Sequence, residues 1–297
     1  MRHHDGHCKD RQHQEEQTAD RHIRNLAARA RALPRAYPRA MSSGADGLLQ
    51  AAAELARLAG SAALRYYRES LTVEQKTDGS PVTEADRAAE TLAREWIARR
   101  YPDDAIHGEE FGPSRGRSGR TWLLDPVDGT RTFVRGVPLW GSLVAVVEGD
   151  VVLAGAADFP AVGERLAAAP GEGCWHNEAR CRVSEVGDLG KATVLTTDPR
   201  GFAKPRHRRA WAELAASAGA VRTWGDCYGY LLVATGRAEV MLDARLNSWD
   251  GACFVPILSE AGGVLTDLEG KSTWNLTSAV ASNGALAGRV RELLAGR

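Results

Sequence analysis

Trp122-Leu123-Leu124-Asp125-Pro126-Val127-Asp128-Gly129-Thr130 is the stretch on which the reading of this chain turns. With Thr121 before it, the apolar run has the length of a buried strand, bounded by turn residues. It runs straight into two carboxylates three positions apart. Pro126 fixes φ and offers no N–H, while Gly129 tolerates the positive φ of a sharp turn. Such a turn can aim the Asp125 carboxylate, the Val127 carbonyl, the Asp128 carboxylate and the Thr130 hydroxyl at one point. An all-oxygen set of this kind suits a hard divalent cation. An ordinary Asx turn after a strand accounts for the same residues without a ligand, so this stretch alone leaves both readings open.

Working outward, Ile106-His107-Gly108-Glu109-Glu110 ends a second short strand in adjacent acids, and Ser248-Trp249-Asp250 places another acid at the start of an apolar helix. There Asp250 can serve simply as a helix N-terminal acid, worth about 0.3–1 kcal/mol against the dipole. Four acids at element ends, without a matching Lys or Arg beside each, would repel one another if the fold gathered them. Bound cations would remove that conflict.

Further upstream, Leu48, Leu49, Ala52, Leu55, Ala56, Ala59 and Ala63 recur at helical spacing and predict a first helix from Ser43 to about Tyr67, capped by Ser or Asp. Residues 73–81 read as a turn-rich loop. Thr83-Glu84-Ala85-Asp86 then opens a second amphipathic helix to about Arg100, with Asp86 in its first turn. Strands are expected at 105–107, 121–124, 142–148 and 151–158, the last two joined by a Gly149-Asp150 hairpin turn. Beyond these, strands at 192–196, 239–242, 264–267 and 278–281 alternate with helices near 206–218, 226–236, 250–262 and 284–295. The alternation predicts layered α and β with a second sheet.

The 38 basic and 38 acidic residues cancel, yet residues 1–40 carry nine of the former and five of the latter, so the remainder is mildly acidic. A body of that sign is not expected to bind nucleic acid, which is normally held by a basic excess. Residues 1–42, rich in His and Arg and broken by Pro34 and Pro38, read as a disordered or over-extended tail. Five of the eight histidines lie there, which leaves a His-centred mechanism poorly supplied. The absence of an 18-residue apolar run and of a secretory h-region predicts a cytoplasmic protein. Five cysteines without CxxC spacing read as buried or incidental thiols.

These residues together resemble the inositol monophosphatase family of Mg²⁺-dependent phosphatases. WLLDPVDGT resembles its first signature, and Trp249-Asp250-Gly251-Ala252 with Glu260-Ala261-Gly262-Gly263 its second, while SPVTEAD at 80–86 and GEE at 108–110 stand in the expected order over residues 48–294. The resemblance implies an α/β (α+β layered) αβαβα sandwich of the sugar-phosphatase type, occupying 43–297 in two halves, about 43–185 and 186–297. It implies two to three Mg²⁺ ions: Glu109, Asp125 and the Val127 carbonyl for the first, Asp125, Asp128 and Asp250 for the second, Glu109 with Asp86 for a weaker third. Glu109, Thr130 and Asp125 take the catalytic roles, and Gly129 and Thr130 touch phosphate. A homodimer is also implied; Trp140, Trp175 and Trp274 are candidate interface anchors, although core tryptophans read the same way in sequence.

The substrate is expected to be a small phosphate monoester. Trp224-Gly225-Asp226-Cys227-Tyr228-Gly229-Tyr230 and Arg131-Thr132-Phe133-Val134-Arg135-Gly136 resemble the histidinol-phosphate phosphatase branch. Histidinol phosphate carries a cationic amine and an imidazole, which acids such as Asp226 and Asp243, with Asn247 beside them, can recognise. Capping of the helix after Gly225 is the plainer role for Asp226. Inositol 1-phosphate or broad sugar-phosphate hydrolysis is the alternative reading. A protein or RNA-complex partner, contacting through Lys204 to Arg209 (KPRHRR), is the alternative of another class, although a solvated loop before a helix at Trp211 explains that run as well.

Overall fold

The structure, a computed structural model, describes residues 47–77 and 79–296; the expected tail and the start of the first helix lie outside the described residues. Helix α1 (Leu48–Ala63) is rich in Ala and Leu, and its buried side chains include Leu48, Leu49, Leu55 and Ala59. It ends at Ala63, short of Tyr67, and its N-cap is Gly47 at φ 66° with no side-chain cap. The supposed loop after it contains a small antiparallel ladder, β1 (Val73–Gln75) with β2 (Pro81–Thr83). Helix α2 (Glu84–Arg100) begins at a capping box: Thr83 Oγ1 accepts the Ala85 N–H at 3.1 Å, and the Asp86 carboxylate accepts the Thr83 N–H at 2.8 Å.

The next strands are β3 (Ala105–Gly108), β4 (Gly112–Ser114) and β5 (Arg120–Asp128), followed by the short helix α3 (Thr130–Phe133). After it come β6 (Gly141–Glu148), β7 (Val151–Phe159), β8 (Glu164–Ala168), β9 (Cys174–His176) and β10 (Ala179–Arg180). They form one eight-stranded sheet in the order β10-β9-β8-β7-β6-β5-β3-β4, in which only the β3/β5 pair is parallel. The rest of the chain is β11 (Thr193–Thr196), α4 (Pro205–Ser217), β12 (Ala220–Arg222), α5 (Asp226–Ala234), β13 (Val240–Asp243), α6 (Ser248–Gly251), α7 (Phe254–Glu260), β14 (Gly263–Thr266), β15 (Ala279–Asn283) and α8 (Ala287–Ala295). Its sheet runs β12-β11-β13-β15-β14. The single helix expected over 250–262 is two, because Pro256 cannot donate to the carbonyl four residues back and instead sits in the first turn of α7.

Period-two alternation along the strands produces five layers. Trp122, Leu124, Val144, Val146, Ala154 and Ala156 pack against α1 and α2. The opposite face of the same strands, with Leu123, Leu143, Ala145 and Ala157, packs against Leu231, Val233, Ile257 and Leu258 of α5 and α7. That middle layer also covers Leu195, Met241 and Ala281 of the second sheet. Val194, Val240, Leu242 and Val280 then face Ala210, Leu214, Val290 and Leu293 of α4 and α8. The order is α, β, α, β, α. A Cβ at Gly155 would stand 2.2 Å from the Cys253 carbonyl oxygen, so the bare glycine lets the α6–α7 junction rest on β7.

Two expectations are corrected by this packing. Trp140 is 0 % exposed and Trp175 7 %, so both are core residues and not interface anchors; Trp274 is half-buried, its indole N–H donating to the Gly149 carbonyl at 3.0 Å. The basic run at 204–209 opens α4 from its N-cap Lys204, in line with the helix expected near 206–218 and not with a loop lasting to Trp211, and Lys204, Arg206 and His207 all converge on Glu269. Among the described residues, no helix is long and apolar enough to cross a membrane.

Candidate active site

The strand end that carries the first acids is bent by one extra residue. Asp125 pairs with Leu143 and Asp128 with Gly141, so β5 bulges at Pro126-Val127. Ser142 Oγ donates to the Pro126 carbonyl, and the Val127 N–H donates to Asp125 Oδ1 at 3.0 Å. Gly129 at φ 84° closes the turn and starts α3. Asp250 enters from the other half as the third residue of α6, where its carboxylate accepts the Asn247 N–H at 2.6 Å. It caps the helix, as expected, and also faces the bulge. One carboxylate oxygen from each of Asp125, Asp128 and Asp250 lies within 4.8 Å of the others.

Burial pushes Asp125 well above the usual carboxylate range, and the charges of Glu109, Asp128 and Asp250 push it further. Asp128 is raised in the same way by burial, Asp226 and Asp250, and burial takes Asp250 to about 7. Among the described residues, no Lys or Arg forms an ion pair with any of the three. An anionic, all-oxygen group with no protein counter-charge fits a hard divalent cation.

Asp86 and Glu109 flank this group, and the Glu109 side chain contacts Asp125. Asp86 Oδ2 accepts from the Thr83 N–H at 2.8 Å and the Thr83 hydroxyl at 2.6 Å, and Oδ1 lies 3.4 Å from Thr130 Oγ1. Thr130 Oγ1 also donates to the Val127 carbonyl at 3.0 Å. The Glu109 N–H donates to the Leu124 carbonyl at 3.1 Å, which ties the GEE segment to β5. Contrary to the expectation that these acids lack a cation, Lys76 Nζ stands 2.7 Å from Glu109 and 2.6 Å from Glu110. Burial alone would lower the Lys76 pKa, but the two carboxylates outweigh it and raise it.

Lys76 was not legible because its loop gave no structural signal. Glu90 was also missed, although it sits one turn beyond Asp86 on the buried face of α2, between Ala89 and Ala93. A fully buried acid on an apolar stripe is the signal that finds it. Its two oxygens accept the N–H groups of Glu110 at 2.7 Å and Phe111 at 3.2 Å, and Arg94 Nε donates to it at 2.7 Å.

Beside the turn opens a cleft of roughly 600 Å³ walled by Gly129, Thr130, Arg131, Arg135, Arg200 and Asp226, among others. Asp226 has φ 50°, an unfavourable backbone for any residue but Gly, Asn or Asp. Its N–H donates to Thr197 Oγ1 at 2.8 Å and its carboxylate accepts from Thr132 Oγ1 at 3.3 Å. It does not cap α5, whose N-cap is Gly225 with no side-chain bond. Asp243 and Asn247 stand apart from the cleft wall. Asp243 is 7 % exposed, accepts the Tyr230 hydroxyl at 2.7 Å, and is raised by burial to about 6. Asn247 is exposed, with its amide nitrogen 3.4 Å from Asp250.

Residues 45–296 match the family described as "Inositol monophosphatase family". A protein named histidinol-phosphatase from Chlorobaculum parvum is 45% identical over 227 residues, covering 76% of this chain and 87% of that one. Another so named from Mycobacterium tuberculosis is 39% identical over 228 residues, covering 75% and 88%. A solved structure of a Thermotoga maritima IMPase superposes with a TM-score of 0.74 at 30% identity, covering 82% of this chain and 94% of that one.

Proposed function

This chain belongs to the inositol monophosphatase family and is a phosphoric monoester hydrolase, and from its site we infer that the ester it cleaves is L-histidinol phosphate, with Mg²⁺ as cofactor. Glu109, Asp125 and the Val127 carbonyl are the residues that would hold one Mg²⁺, Asp125, Asp128 and Asp250 a second, and Glu109 with Asp86 a weaker third, two to three in all. When bound, Mg²⁺ supplies Lewis acidity, making water a competent nucleophile near neutral pH and offsetting charge on the leaving oxygen.

The chain's own groups do the rest. Thr130 Oγ1, free to donate to either the Val127 carbonyl or Asp86 Oδ1, keeps a lone pair for water and can pass a proton to Asp86. Glu109 is the second acceptor that orients the water. The amides of Gly129 and Thr130 stand at the start of α3 and would donate to phosphate oxygens. Water attacks phosphorus directly, so no covalent phosphoenzyme is required.

The observation that carries the substrate reading is Asp226, held in the cleft wall beside Gly129 and Thr130 by Thr132 and Thr197. An acid there favours a cationic alcohol over a neutral polyol. The names of the two bacterial relatives support the same substrate. Asp243 and Asn247 belong to the proposal as further substrate-binding residues. A homodimer remains part of it, tested by light scattering. For the RNA-partner reading, Glu269 pairs with Lys204 and Arg206 of the basic run and offsets part of its charge. Purified protein with Mg²⁺ should hydrolyse L-histidinol phosphate with a kcat/KM at least about a hundredfold above that for inositol 1-phosphate. Equal or reversed values overturn the substrate assignment.

A further inference from the structure

Cys174 and Cys181 take no part in the site described above, and they face each other across the β9–β10 hairpin. Asn177, at φ 54°, and Glu178 make its turn, Ala179 pairs with His176 and Arg180 with Trp175. Cys181 is therefore the next rung, opposite Cys174, and its N–H donates to the Cys174 carbonyl at 3.1 Å. Opposed residues in a hydrogen-bonded rung have Cα atoms about 5.5 Å apart, inside the span of about 4.4–6.8 Å that a disulfide bridges. Their Sγ atoms are 3.2 Å apart.

The surroundings hold that geometry from both sides. The Gly171 and Gly173 N–H groups donate to Glu260 at 2.8 and 2.7 Å, and the Val183 N–H donates to the Ala261 carbonyl at 3.0 Å. The Arg180 guanidinium lies 4.1 Å from the centre of the Trp175 ring. Exposure is unequal: Cys174 is buried, whereas Cys181 is partly open to solvent. Cys227 and Cys253 are buried in the middle layer.

We propose that Cys174 and Cys181 form an oxidative modification site, a dithiol that closes to an intrachain disulfide with a low-molecular-weight disulfide such as glutathione disulfide. The Cys181 thiolate attacks one sulfur of that disulfide, forming a mixed disulfide and releasing one glutathione thiolate. Cys174 then attacks the Cys181 sulfur, its proton going to the second departing glutathione thiolate. Two protein thiols are thereby oxidised by two electrons and the small disulfide is reduced to two thiols. The shared sulfur contact, followed by burial, raises Cys174, while the same contact lowers Cys181 with help from Arg237. Being partly open to solvent, Cys181 is the first attacker, and the buried Cys174 is the resolving thiol.

The site is independent of the phosphatase reading and is tested without an activity assay. The reduced full-length protein is incubated with glutathione disulfide, and its free thiols are then counted after denaturation and located by peptide mapping. The expected result is loss of the Cys174 and Cys181 thiols together, with their peptides joined to each other and released by dithiothreitol. In Cys174→Ser, Cys181 should retain one glutathione; in Cys181→Ser, Cys174 should stay a free thiol. Both thiols remaining reduced, Cys181 retaining glutathione in the unaltered protein, or bridges between chains would each overturn the proposal.

Discussion

Glu90 accepts the backbone N–H of Glu110 at 2.7 Å, so a fully buried carboxylate on α2 sets the course of the segment that presents Glu109 to the acidic group. Gly108 makes the approach possible, since a Cβ there would stand 2.1 Å from Glu90 Oε1. Glu90→Gln keeps the shape but can turn an amide donor toward two N–H groups. The variant should lose about 1–3 kcal/mol of stability and need roughly tenfold more Mg²⁺ for half-maximal rate. Denaturant melts and rates across a Mg²⁺ series check both; an unchanged Mg²⁺ dependence would remove Glu90 from the positioning of Glu109.

Asp125, Asp128 and Asp250 are held close without a protein cation among them, so a divalent ion should stabilise the folded chain. At about a hundredfold excess over its dissociation constant, a ligand adds about 2.7 kcal/mol, and for a chain of this size that corresponds to roughly 5–10 °C in Tm. Stripping Mg²⁺ with EDTA should lower Tm by that amount and abolish phosphate release. Asp125→Asn should erase the Mg²⁺-dependent shift and cut the rate by at least about a hundredfold. A Tm that ignores Mg²⁺ in the unaltered protein would dismiss the cation site.

What was legible in the sequence was local. The apolar run into Asp125-Pro126-Val127-Asp128-Gly129 announced a strand ending in a sharp turn, and the structure adds only the slip against β6 that makes it bulge. Asp250 was readable because helix starts carry their own signal. The cation beside Glu109 was not, because Lys76 comes from a segment 33 residues away that read as loop. Trp140 and Trp175 were not placeable for a related reason: residue type favours an interface and a core equally, and only the packed layers decide. The break between α6 and α7 was present as Pro256, but the apolar period ran through it.

Asp158, at 4 % exposure near the end of β7, supplies the pH dependence best separated from the active site. Burial raises it to about 7, with Arg165 and Arg57 acting in the opposite direction. A raised acid binds its proton more tightly folded than unfolded. Stability should therefore be highest below about pH 4 for this group alone, and fall as pH rises toward 7, by up to about 4 kcal/mol. Asp158→Asn removes the titration, so the variant should gain on the unaltered protein as pH climbs from 5 to 8. Urea denaturation at several pH values measures the difference, and parallel curves would sink the assignment.

Asp226→Asn offers the cleanest test of substrate recognition because Asn, like Asp, tolerates the φ of 50° found there, leaving charge as the main change. The Thr197 hydroxyl can still accept the backbone N–H, and Thr132 can still donate to the amide oxygen. What disappears is the carboxylate partner for a substrate ammonium or imidazolium, a charged hydrogen bond worth about 1.5–3 kcal/mol. The variant's kcat/KM for L-histidinol phosphate should fall by about ten- to a hundredfold. Its rate on p-nitrophenyl phosphate, which has no cationic group, should stay within about twofold, because that ester gains nothing from the charge. A parallel loss on both esters would instead place Asp226 in support of the neighbouring Asp128, whose pKa its charge raises.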